Sequence, residues 1–148
     1  MKLDESAAGV FAIAVTPFGD DGAIDFPSTD RMVDFYLECG VSGLTILGVM
    51  GEAPKLAPEE AVSFAGRVLE RIDGRVPVVV GVSAPGLGVM SSLTQRVMDL
   101  GAAGVMVAPM AGLRTDEQIA GYFHAVCEAL GDVPMVLQDY PPSSGVYF

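Results

Sequence analysis

Five short, almost wholly apolar runs recur along this chain and constrain its fold more than any other feature. They are Val10–Val15, Leu44–Leu47, Val78–Val82, Val105–Ala108 and Met135–Leu137. A run without apolar/polar alternation reads as a strand buried on both faces, and such strands belong to parallel sheets.

Between the runs lie stretches of helical periodicity. Met32, Val33, Phe35, Tyr36 and Leu37 form one apolar stripe, stopped at Gly40. Pro58-Glu59-Glu60 opens the second, since proline and acids both suit a helix N-terminus. Val62, Phe64, Ala65, Val68, Leu69 and Ile72 carry it to Gly74. The third runs from about Gly88 through Leu93, Val97 and Leu100 to Gly101. In the fourth, Thr115 is the expected N-cap, with Gln118 completing a capping box, and the helix ends at Gly131. Strands start roughly 30 residues apart, one βα unit each. The resulting β-α-β-α-β-α-β-α-β order requires crossover connections and hence a parallel sheet, read as one domain over 1–148.

Two parallel architectures fit that order. An open, doubly wound five-stranded sheet suits 148 residues, as in a self-contained flavodoxin-like binding domain. A (β/α)8 barrel needs about 250. Length alone favours the open sheet.

Charge narrows the partners. With 19 acidic and 8 basic residues the net charge is -11, a field that repels phosphate backbones and anionic membrane surfaces, so neither nucleic acid nor membrane is an expected partner. No apolar run reaches the ~20 residues that span a bilayer. The opening MKLDESAAG has neither a basic n-region nor an apolar h-region, so no signal peptide is expected. Cys39 and Cys127 form no CxxC, and a reduced cytoplasmic protein is the simplest reading. Both cysteines read as core filler, the methionines as core packing, His124 as a surface residue and Asp20-Asp21 as a solvated turn. A single histidine leaves no zinc signature, and no G-K-[ST] or G-x-G-x-x-G supports a nucleotide, so no cofactor is expected.

The segments with chemical potential all follow strand C-termini, the functional edge of a parallel α/β fold. They are Thr16-Pro17-Phe18, Gly48-Val49-Met50-Gly51-Glu52, Ala84-Pro85-Gly86, Pro109-Met110-Ala111 and Gln138-Asp139-Tyr140-Pro141. Five motifs in order carry a resemblance: VTPF with GDDGAIDF after run one, the G-x-x-G-E loop after run two, VPVVVGV, GAAGVMVAPM, and x-D-x-P after run five. From about Gly9 to Gly145 the chain resembles the dihydrodipicolinate synthase / N-acetylneuraminate lyase family of class I aldolases.

That resemblance implies a (β/α)8 barrel, of which 1–148 would be the N-terminal portion of a single domain, about five βα units, and usually a homotetramer. It implies a Schiff base between a lysine and a 2-keto acid such as pyruvate, followed by carbon–carbon bond formation or cleavage. The iminium is an electron sink that lets an enamine form. The keto acid's carboxylate needs donors, and the glycine-rich turn Gly48, Val49, Met50, Gly51 offers backbone N–H groups, those of Val49 and Met50, which survive a side-chain change. Glu52 corresponds to the family's loop glutamate and is expected as a buried acceptor that pins the loop. Thr16, near the barrel mouth, reads as a turn-capping hydroxyl or a substrate contact.

The departures are as informative. Val49 and Met50 replace loop hydroxyls, Met110 and Ala111 replace a tyrosine, Ser143 stands where synthases carry an arginine, and Gln138 stands where many members carry a tyrosine relay. A carboxamide hydrogen-bonds a carbonyl or hydroxyl but shuttles no proton as a phenol does; Tyr140 is the nearby phenol. The lysine-biosynthetic reaction is therefore not the expected one, and another aldolase, lyase or hydratase activity is. The two lysines, Lys2 and Lys55, lie in a tail and a loop. In the family the Schiff-base lysine lies on strand six, so it is expected outside this sequence. The alternative is a non-catalytic remnant or assembly subunit that pairs through open sheet edges.

Overall fold

The computed structural model describes residues 3–147. Five strands, β1 (Phe11–Ile13), β2 (Gly43–Ile46), β3 (Val78–Gly81), β4 (Gly104–Val107) and β5 (Met135–Leu137), form one sheet. All four pairings are parallel and the spatial order is β1-β2-β3-β4-β5. The connecting helices are α1 (Phe26–Glu38), α2 (Pro58–Ile72), α3 (Leu87–Asp99) and α4 (Asp116–Leu130), and a short α5 (Pro141–Ser144) follows β5.

The strand order decides between the two architectures. A doubly wound sheet reverses direction at a switch point, which sends helices to both faces. Here every strand adds to the same side of its predecessor, so right-handed crossovers stack all helices on one face. Consecutive helices accordingly pack on each other, α1 on α2, α2 on α3 and α3 on α4. This is the arc of a barrel of the TIM type.

Period-two alternation gives the arc two faces. Ala12, Leu44, Ile46, Val78, Val80, Val105, Val107 and Met135 join the helices in the main core, with Phe64, Val68, Ile72, Met90, Val97 and Val126 from the helix side. Thr45, Val79, Gly81 and Met106 occupy the other face. The three central strands are buried along their whole length, whereas β1 and β5 are not. The difference is positional: the outer strands each lack a neighbour, so Val10, Ile13, Val136 and Leu137 stay exposed.

The helix signals hold with corrections. Asp25 caps α1, accepting from the Ser28 N–H at 2.9 Å. Thr115 caps α4 through Gln118 N–H, but the Gln118 side chain reaches back to Arg114 N–H at 2.8 Å rather than to Thr115, so the box is offset by one residue. On α2 the Glu60 carboxylate accepts from Ala57 N–H at 2.8 Å, half of a box whose cap is an alanine. Both cysteines, expected in the core, are exposed, because each lies at or near a helix C-terminus beyond the buried stripe. Met90 and Met106 do pack in the core, but Met50 and Met110 are exposed on loops past the C-terminal ends of β2 and β4. His124 and the Asp20-Asp21 turn lie on the surface as expected.

Candidate functional site

The site is built around the turn that follows β2. Leu47 ends the strand in the left-handed region, at φ 54°. That conformation is uncommon for a branched aliphatic residue. It swings the chain across the sheet edge and over Gly81, where a Cβ would stand 2.1 Å from the Leu47 carbonyl oxygen and 3.2 Å from Gly48 N. Gly51 backs onto the same peptide, and a Cβ there would lie 2.9 Å from Leu47 N. Two glycines thus let Leu47–Gly48 pass between them. Gly51 N–H closes the turn on the Gly48 carbonyl at 3.1 Å, and Glu52 N–H bonds the Val49 carbonyl at 3.1 Å. Among the described residues the N–H groups of Gly48, Val49 and Met50 have no acceptor.

Thr16 fixes this turn from the loop that follows β1. Its buried hydroxyl donates to the Gly51 carbonyl at 2.7 Å, 35 residues away in sequence. It therefore ties two loops together rather than capping its own turn. Glu52 departs from expectation. Its side chain is 41% exposed and pairs with Lys55, itself 73% exposed. Glu52 is thus no buried acceptor; its structural contribution is backbone, at φ 53°.

Beside the turn lies a cavity of about 200 Å³ at the C-terminal ends of β2 to β5. It is lined by Leu47, Gly48, Val49, Ala53, Pro54, Gly81, Ser83, Met106, Ala108, Gln138, Tyr140, Ser143 and Ser144. Of the residues singled out in the sequence, Gly48, Val49, Gln138 and Tyr140 meet here, as does Ser143; Thr16, Met50, Gly51 and Glu52 stay off the lining. The Gln138 carboxamide and the Tyr140 hydroxyl have no partner among the described residues, although Gln138 N–H extends the β4–β5 ladder to the Val107 carbonyl at 2.9 Å. Lys55 does not line the cavity, and Lys2 lies outside the described residues.

The sequence reading missed Ser83 and Tyr122, which hold the rim of β4. Ser83 Oγ accepts from Ala108 N–H at 2.9 Å and Tyr122 Oη donates to the Ala108 carbonyl at 3.1 Å. Burial pushes the Tyr122 phenol above its ordinary value and so preserves it as a donor. It also missed Gly81, whose signal was present: a lone glycine inside an apolar strand marks a close backbone approach.

A parallel, singly wound α/β arc is the architecture of part of a TIM barrel. Comparison with known proteins makes the assignment specific. The dihydrodipicolinate synthetase family model matches residues 6–148, and the chain belongs to that family. It is 36% identical over 134 residues to a 4-hydroxy-tetrahydrodipicolinate synthase of Laribacter hongkongensis, covering 90% of this chain and 46% of that one. Among solved structures, dihydrodipicolinate synthase from Rhodopseudomonas palustris superposes with a TM-score of 0.95 at 55% identity, over 99% of this chain and 49% of that one. YagE, a prophage protein of the same family from E. coli K12 solved in complex with pyruvate, gives 0.84 at 30% identity, over 93% and 46%. The chain thus spans about half the length of the relatives it matches.

Proposed function

We propose that this chain forms the keto-acid-binding side of a Schiff-base aldolase or lyase site for pyruvate or a related 2-keto acid. The observation that carries the reading is the run of three consecutive unpaired N–H groups at Gly48, Val49 and Met50, of which Gly48 and Val49 line the cavity together with Gln138 and Tyr140. Backbone donors at a glycine turn suit a carboxylate and are unaffected by the Val49 and Met50 side chains. A relative solved with pyruvate supports the same ligand class.

In this reading a lysine amine from outside these residues adds to the keto carbon and water leaves. The iminium draws the electrons of the adjacent C–H bond as its proton departs, and the enamine carbon then bonds an aldehyde carbon, or the reverse sequence cleaves that bond. Gln138 hydrogen-bonds the substrate's oxygen, and the Tyr140 phenol exchanges the proton. Thr16 and Gly51 act by holding the donor turn. The exposed, ion-paired state of Lys55 supports assigning it no nucleophilic part. The reading includes a homo-oligomer working in the cytoplasm without cofactor; among the described residues no helix is long and apolar enough to cross a membrane.

Borohydride trapping tests it. The 148-residue chain with pyruvate is expected to give no reduced adduct. A chimera completed with the remainder of the Rhodopseudomonas palustris protein is expected to give one on a lysine of the added part. No adduct on a folded chimera, or an adduct on Lys55, contradicts the proposal. The exposed apolar edges at Val10 (66%) and Leu137 (46%) favour a second reading, an assembly subunit that pairs through its outer strands. A stable oligomer with no keto-acid binding at Gly48–Met50 selects that one.

A further inference from the structure

We infer that Ser83 is a positioning residue for Gln138: it holds the Val107–Ala108 peptide, and Gln138 hangs from the other edge of that same peptide. The inference rests on the keto-acid reading above, in which Gln138 bonds the substrate's oxygen.

The ladder between β3 and β4 runs out at the C-terminal edge of the sheet. Val82 N–H donates to the Met106 carbonyl at 3.0 Å. A regular parallel ladder would next take Ala108 N–H to the β3 backbone, since the donors on one strand fall at every second residue. β3 ends at Gly81, and the chain turns away toward α3. The Ser83 side chain supplies the acceptor instead. Its Oγ takes the Ala108 N–H at 2.9 Å, an ordinary length for an N–H···O bond.

The peptide so held also carries the Val107 carbonyl. That carbonyl accepts from Gln138 N–H at 2.9 Å, one residue past the Val107–Leu137 pair that ends the β4–β5 register. One planar group thus joins the ends of three strands, with Ser83 Oγ accepting on one edge and Gln138 N–H donating on the other. A peptide whose N–H is bonded has a more polarised carbonyl, so the first bond strengthens the second. Tyr122 Oη completes the hold, donating to the Ala108 carbonyl at 3.1 Å. Because the peptide is rigid, fixing its N–H edge fixes the direction of its C=O, and with it the backbone that aims the Gln138 carboxamide. Ser83, Ala108 and Gln138 all line the cavity of about 200 Å³. Every bond of this chain joins residues described here, so the relay operates whatever closes the rest of the site.

Amide-resolved NMR of the 148-residue chain tests this in two arms. Alanine at 83 loses the acceptor, cysteine offers only a weak one and threonine keeps it. Without ligand, Ser83→Ala is expected to move the Gln138 backbone N–H upfield and hasten its exchange, with Ser83→Cys intermediate and Ser83→Thr like the parent. With pyruvate, the parent is expected to shift the Gly48, Val49 and Met50 amides and the Gln138 carboxamide together. In Ser83→Ala the three turn amides still shift, the carboxamide no longer follows, and affinity falls roughly threefold to tenfold, the effect of losing about one neutral hydrogen bond. A Gln138 N–H unmoved across the series, whatever happens to stability, overturns the inference, as does an unchanged carboxamide response in Ser83→Ala; the keto-acid reading then stands. If pyruvate shifts none of the three turn amides in the parent, the keto-acid reading fails and takes this inference with it.

Discussion

Replacing Gly81 with alanine puts a methyl group where the Leu47–Gly48 peptide already lies. The new Cβ would be 2.1 Å from the Leu47 carbonyl oxygen and 2.7 Å from its carbon, against the roughly 3.3 Å at which carbon and oxygen normally touch. Both atoms are backbone, so no rotamer change relieves the clash. The turn must move by about 1 Å, and the strain of such overpacking costs about 1–3 kcal/mol. At about 2–4 °C per kcal/mol for a chain of this size, the melting midpoint is expected to fall by about 2–12 °C. The larger effect falls on the site. A hydrogen bond to a charged group contributes about 1.5–3 kcal/mol, so one donor pushed out of line weakens carboxylate binding roughly 10- to 150-fold. Thermal denaturation and a calorimetric pyruvate titration on Gly81→Ala read both. A midpoint within about 1 °C of the parent and an unchanged pyruvate affinity would refute the crossing as the device that sets the donors.

Thr16→Val leaves the Gly51 carbonyl without its buried donor and is expected to cost about 1–3 kcal/mol by urea denaturation, whereas Thr16→Ser keeps the hydroxyl and most of the stability. Arg67 clasps Asp30, Arg71 clasps Asp34 and Arg96 clasps Glu59, tying α1 to α2 and α2 to α3; each guanidinium holds its carboxyl below the ordinary value. Carboxyls lowered in the folded state add stability that is present above their unfolded values, 3.8 for Asp and 4.5 for Glu, and is lost as pH falls through the folded ones. Urea midpoints are therefore expected to drop below about pH 4.5, less steeply in Arg67→Gln/Arg71→Gln, and an equally steep drop in that variant contradicts the ion-pair account. Cys39 and Cys127 are both expected to react with a thiol reagent in the native protein; reaction only after unfolding contradicts their exposure.

The fold was legible because its information is local. Each apolar run and each amphipathic stripe announces itself within a few residues, and Gly40, Gly74, Gly101 and Gly131 mark the stops. Length argued for the open sheet, and the family motifs argued for the barrel; the unbroken strand order decides it. Contacts that join distant positions were not legible. Nothing near Thr16 points to Gly51, and although a lone glycine in an apolar strand marks a close approach at Gly81, nothing near it says that the partner is the Leu47 carbonyl. Glu52 misled because the expectation came from its match to the family's loop glutamate, while here its own side chain turns outward to Lys55. The cysteines misled because helical periodicity places a residue on a face but says little at a helix end, where that face runs out.

The central claim is that Gly48, Val49 and Met50 present their N–H groups to the carboxylate of a 2-keto acid. An amide-resolved NMR titration of the 148-residue chain with pyruvate tests it directly. The account predicts saturable shifts at those three amides, with accompanying change at the Gln138 side chain and none at Lys55. Saturable pyruvate binding that leaves the three amides unmoved would contradict it.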